Sequence, residues 1–176
     1  MHEREHEVKN LFKHLNRGMM YAFEFTSEEI SDRHGSEFSY SVFPFVGDLY
    51  VIVYDGNTEL LVLEVTKGNI SFFKQLVADV EVVLGSDDLT DKFPHLHTRE
   101  GVTLVSDNAQ DPHRGAIQYK VVPHLRIASL RIIDHELDGT VGVEINEDIL
   151  RVLQQMVKDA EVLFKEEGCI GTDHKD

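Results

Sequence analysis

Apolar positions along the chain switch between helical and strand spacing. Val8, Leu11, Phe12 and Leu15 recur at intervals of three, four and seven, which predicts a helix over residues 3–17, stopped by Gly18. Residues 19–25 read as a strand. The polar stretch 26–36 follows, with Ser27 placed to cap a short turn of helix before Gly35. Residues 38–45 alternate until Pro44, as suits an edge or a strand end, because proline cannot donate to a ladder. Residues 49–54 form a continuous apolar run, the pattern of a strand buried on both faces. Asp55-Gly56-Asn57 predicts a hairpin, since Gly and Asn tolerate the positive φ of a tight turn, and residues 59–65 form its returning strand.

A second helix is predicted from Thr66 or Asn69 to Leu84, with Ile70, Phe73, Val77, Val80 and Leu84 as its apolar stripe and Gly85 as its end. Its valines also fit a strand over 80–84. Residues 86–93 read as a capped turn halted by Pro94. The segment 95–114 is polar, apart from a short strand at 102–105. Strands follow at 116–122, 125–133 and 140–145, with Pro123 at the first turn and a charged turn at 134–139. Asn146 caps the last helix, Glu147 and Asp148 sit at its positive end, and Ile145 with Leu150 forms a hydrophobic staple. Ile149, Leu153, Met156, Val157, Ala160 and Phe164 make its stripe, and Gly168 ends it.

The predicted class is α+β, a mainly antiparallel sheet with three principal helices in the order α-β-β-β-β-α-β-β-β-β-α. Residues 64–84 align with 144–164 without a gap, and six of the 21 pairs are identical, among them Gln75/Gln155, Asp79/Asp159 and Glu81/Glu161. The alignment admits a pseudo-twofold tandem repeat of about 80 residues, with halves 1–85 and 86–168 of a single domain 1–168, their strand groups meeting edge to edge. It also admits the simpler reading that two amphipathic helices after strands share an apolar pattern. Residues 169–176 are expected to be a disordered tail. The layout is similar in general pattern to that of secretion chaperones, which are small, acidic and dimeric, with no motif shared.

Composition narrows the function. The chain has 32 acidic and 17 basic residues, a formal charge of −15. Such a surface repels nucleic-acid phosphates and anionic lipid, so neither nucleic acid nor membrane is expected as a partner. Apolar runs are too short to span a bilayer, and the amphipathic N-terminus is unlike a signal peptide. Cys169 is the only cysteine, which fits a reducing, cytoplasmic setting.

Candidate chemistry is sparse. His95-Leu96-His97 places two imidazoles on one side of an extended segment, so both can face one divalent ion such as zinc. His113 would complete that metal site, with Asp107, Asp111 and His124 as further ligands or a base. The spacing resembles the start of a cupin metal motif, but Glu100 follows too closely and the later glycine-proline-histidine pattern is missing. Solvated loop histidines beside a proline are the plainer reading of the pair, since the chain has ten histidines. His2 and His6, and the acidic turn around His135 and Glu136, read as adventitious and structural respectively. The sequence has no nucleophile elbow and no phosphate loop. Phe38, Tyr40, Phe43 and Phe45 line one segment, either as a binding face of aromatic rings or as ordinary core.

The sequence therefore favours a non-enzymatic protein-interaction module: an inhibitor, adaptor, immunity-type or chaperone-like binder, without cofactor. Its partner would carry a basic or apolar patch, and its surplus of apolar strand suggests a homo-oligomer, a homodimer first. The alternative is a metal-dependent hydrolase using His95, His97 and His113.

Overall fold

The computed structural model describes residues 12–17, 25–43, 50–56, 58–85, 93–99, 103–107, 109–111, 115–134 and 139–170. The first run of strands is β1 (Asn16–Arg17), β2 (Phe25–Thr26), β3 (Ile30–Ser31), β4 (Glu37–Phe43), β5 (Tyr50–Asp55) and β6 (Thr58–Glu64), followed by helix α1 (Lys67–Gly85). The second is β7 (His97–Arg99), β8 (Thr103–Val105), β9 (Ala109–Asp111), β10 (Gly115–Val122), β11 (Ile127–Asp134) and β12 (Gly139–Glu144), followed by α2 (Glu147–Ile170). The protein is thus mixed α+β, with two antiparallel sheets and, among the described residues, two helices.

Among the described residues each sheet has six strands. The first runs β1-β2-β4-β5-β6 with β3 beside β4, and the second runs β7-β8-β10-β11-β12 with β9 beside β10. Their long strands are those with the clearest sequence signals. In β4, Phe38, Tyr40 and Val42 are buried, and so are Ser39 and Ser41 on the other face. The buried hydroxyl of Ser41 is satisfied by Thr26 Oγ1 at 2.7 Å on neighbouring β2. The β5–β6 hairpin turns at Gly56, whose φ is 58° and whose N–H donates to the Glu37 carbonyl at 2.8 Å. A side chain there is strained, so Gly56→Ala is expected to cost roughly 1 kcal/mol in urea denaturation. An unchanged midpoint would remove the turn's claim on that glycine.

Strands β10 and β11 pair along their whole length, from Gly115↔Asp134 to Val122↔Ile127. Strand β11 starts two residues later than the sequence pattern predicts. Pro123 at the head of a 3-10 turn, Pro123–Leu125, stops the ladder, and Arg126 closes the turn at φ 55°. The predicted helix caps hold: Asn69 N donates to Thr66 Oγ1 at 3.1 Å and Ile149 N to Asn146 Oδ1 at 2.8 Å. Helix α2 continues past Gly168 to Ile170.

The helices do not lie on the sheets that precede them. Helix α1 follows β6 but packs against β9, β10 and β11, whereas α2 packs against β3 and β4. The two helices also pack on each other, and the buried residues of both sheets and both helices form a continuous hydrophobic cluster. In α2 the predicted stripe is buried from Ile149 to Ala160, with Leu163 buried instead of Phe164. In α1 the buried face is Phe73, Leu76, Asp79, Val80 and Val83, while Ile70, Val77 and Leu84 lie at its margin. A carboxylate in the middle of that face is what displaced the predicted stripe.

Three expectations need correction. The first of three expected helices, over residues 3–17, lies mostly outside the described residues. Where it is described, Phe12–His14 form a turn and Asn16–Arg17 pair with Phe25–Thr26, so tertiary bonds at Phe12 and His14 prevail over the helical spacing. The stretch 26–36 holds strand β3 and a turn at Gly35 (φ 91°) instead of a turn of helix. There the Ser27 hydroxyl accepts from Tyr40 N at 3.0 Å, so its bond closes a strand contact and caps no helix. The polar segment 95–114 also contains more pairing than predicted, in β7 and β9, each of three residues. The expected strand over 19–25 is described only at Phe25, and the turn over 86–93 only at Phe93.

Candidate functional site

Two buried aspartates organise the most elaborate side-chain clusters among the described residues. Asp159, on α2, receives the Tyr40 hydroxyl at 2.6 Å, His14 Nε2 at 2.9 Å and Gln155 Nε2 at 3.1 Å. Asp79, on α1, receives the Tyr119 hydroxyl at 2.6 Å, His95 Nε2 at 2.7 Å and Gln75 Nε2 at 3.0 Å. In each helix Gln and Asp stand four residues apart on one face, the spacing at which such pairs meet. Each Gln Nε2 also lies 3.2 Å from its histidine Nε2.

The local scaffolds correspond as well. Phe12-Lys13-His14-Leu15 and Phe93-Pro94-His95-Leu96 make the same tight turn, with Leu15 N to Phe12 O at 3.0 Å and Leu96 N to Phe93 O at 3.1 Å. The phenylalanine rings are buried and hold the histidine rings at centroid distances of 6.3 and 6.4 Å. Tyr40 is fixed by Ser27, which accepts from Tyr40 N at 3.0 Å and donates its own N–H to Tyr40 O at 2.8 Å. Ser106 does the same for Tyr119 at 2.9 Å in both directions.

Both carboxylates are nearly sealed from water, at 3% and 5% side-chain exposure, while His14 and His95 remain 39% and 37% exposed. A buried charge survives only when its lone pairs are occupied, and here three donors per carboxylate occupy them. Burial first, and then the hydrogen bond and charge of the aspartate, push the Tyr40 and Tyr119 phenols far above the ordinary tyrosine value. These hydroxyls are held as donors to carboxylate and are poor acids. Among the described residues, no buried side-chain nitrogen or oxygen lacks a partner.

Each cluster ties distant parts of the chain together. His14, in the turn before β1, and Tyr40, on β4, come from the first part of the chain, and their aspartate comes from the last helix, 145 and 119 residues away. Tyr119 and His95 belong to the second part and bind the first helix. The clusters therefore act as latches that hold each helix on the opposite sheet.

The residues singled out from sequence fall in several places. Phe38 and Tyr40 are buried at the centre of the first sheet, while the side chains of Phe43 and Phe45 lie outside the described residues. His95 and His97 bind different carboxylates: His95 bonds Asp79, and His97 Nε2 meets Asp107 Oδ1 at 2.6 Å on the surface. His124 is exposed in the 3-10 turn. His113, the Asp111 side chain, His2, His6, His135 and Glu136 lie outside the described residues. Among the described residues no group of three or more His, Cys, Asp or Glu is placed to hold a metal ion. No helix there is long and apolar enough to cross a membrane.

His14, Asp79, Asp159 and Tyr119 were missed as a set. Their signal was present: the Phe-x-His-Leu motif occurs twice, at 12–15 and 93–96, and Asp79/Asp159 and Gln75/Gln155 are among the identical aligned pairs. No protein-family model, curated protein or solved structure matches the chain.

Proposed function

We propose that the chain is a non-enzymatic protein-interaction module built as a fused pseudo-dimer, a tandem repeat of about 80 residues whose halves have exchanged helices. The observation that carries this reading is the paired latch: Tyr40–Asp159–His14 and Tyr119–Asp79–His95 have matching partners and distances and consume their own hydrogen-bonding capacity. The common strand order of the two sheets supports the same reading. Groups that would serve catalysis are spent on holding the halves together. The surplus of apolar strand that suggested a homodimer is divided between two sheets, each covered by the other half's helix. What remains for function is the surface of a chain whose formal charge is −15, which suits a partner with basic groups.

Pull-down from native lysate at low and moderate salt, beside a light-scattering mass, tests this function. Retention of a protein partner that weakens with salt is expected. If no macromolecule is retained at either salt, the interaction reading fails. The metal-dependent hydrolase draws no support from the separate partners of His95 and His97. Elemental analysis of dialysed, untagged protein is expected to give well under one ion per chain, and about one tightly held ion lost in His97→Ala would restore the hydrolase.

A further inference from the structure

We infer that a groove beside the first latch takes a lysine or arginine side chain from a protein partner. This deepens the interaction reading and rests on it, as it does on the correspondence of the two halves. The groove lies between the strands of the first sheet and the first turns of α2. Leu15, Ile30, Tyr40 and Val152 line it on the apolar side. Its polar lining includes the carboxylates of Glu28 and Asp148, the guanidinium of Arg151, which pairs with Asp148, and the His14 ring, which is turned to Asp159. Such a lining suits a long aliphatic stem ending in a cation: the stem covers the apolar wall and the head reaches Glu28, the acid that Arg151 does not occupy. The charge of the whole chain draws the same kind of ligand.

The second latch shows why the groove is more than a gap left by packing. Counting from the shared aspartate, Val152 corresponds to Phe72, and Glu28 corresponds to Asp107 by its place after the latch serine. Phe72 stands edge-on to the Tyr119 ring at 5.5 Å, and Asp107 is bridged by His97 at 2.6 Å. Asn16, which also lines the groove, corresponds to His97 at the same offset of 81 residues as Phe12 to Phe93, so in the second half a phenyl ring and a histidine–aspartate hydrogen bond occupy the positions that Val152, Glu28 and Asn16 hold around the first groove. The first half keeps small or uncrossed side chains there, and so leaves space over Tyr40 with an acid at the rim.

The test is a titration followed by the backbone amide NMR shifts of the full chain, with N-acetyl-arginine amide and N-acetyl-lysine amide as probes and N-acetyl-norleucine amide as the uncharged control. Saturable shifts at Ser27, Glu28, Ile30 and Val152 in the millimolar range are expected with the cationic probes and not with norleucine. Val152→Phe, which copies the second half, is expected to abolish them. Glu28→Gln, an exposed substitution that leaves the core alone, is expected to weaken binding roughly five-fold. Equal shifts with norleucine, or binding indifferent to Glu28→Gln, would overturn the proposal. Repeating the pull-down with Val152→Phe separates the two readings. A partner retained equally by both proteins sinks the groove and spares the interaction module. No partner in either, with probe binding intact, does the reverse.

Discussion

Asp159→Ala is expected to lower stability by about 3 kcal/mol, near 10 °C in melting temperature for a chain of this size. The substitution removes the acceptor of Tyr40, His14 and Gln155 at once. It leaves a fully buried phenol without a partner and removes a polar tie between α2 and the first sheet. Asp79→Ala is expected to cost a similar amount, because Tyr119, His95 and Gln75 are stranded in the same way. Asp159→Asn keeps a carbonyl for Tyr40 and should lose about half as much. Calorimetric scans of the three variants check this. A loss under about 1 kcal/mol for both alanine variants would mean that the clusters are surface ornaments and not latches.

The second large effect is a loss of stability in alkali. Tyr40 and Tyr119 hold their protons in the folded state to a pH well above the ordinary phenol value, because each is buried and donates to a carboxylate. Unfolded tyrosine loses its proton near pH 10. Above that pH the unfolded chain binds fewer protons than the folded one, so stability falls as pH rises; below it, these groups contribute no pH dependence. The slope is up to roughly 1.4 kcal/mol per pH unit for each tyrosine. Urea midpoints measured from pH 8 to pH 11 should be level at first and then fall steeply. Tyr119→Phe starts from a lower stability and should show about half the slope. A wild-type profile that stays level through pH 11 would contradict the burial and bonding of both phenols.

Much of the local structure was legible because it depends on neighbours in sequence. Gly56 after Asp55 set the hairpin, Asn146 set the start of α2, and Pro123 set the break between β10 and β11. Strands of three residues, such as β7 and β9, are too short to show a period, so the polar segment that contains them read as irregular. The latches were hidden for another reason. His14 and Asp159 are 145 residues apart, and nothing in local periodicity joins them. The ungapped alignment covered only the helices and the strand ends before them, since Phe12/Phe93 are offset by 81 residues and Tyr40/Tyr119 by 79. Asp79, a buried acid among the apolar residues of α1, was a further trace, and its role shows only once its partners are seen.

Amide hydrogen exchange of the native protein and of Asp159→Ala, read strand by strand, tests the interlocked halves most directly. If each helix secures the opposite sheet and the two share one core, the substitution should lower the protection of β10 and β11 by as much as that of β4 and β5. Loss confined to β4 and β5, with the second sheet as protected as before, would mean that the halves stand independently and that the latches do not join them.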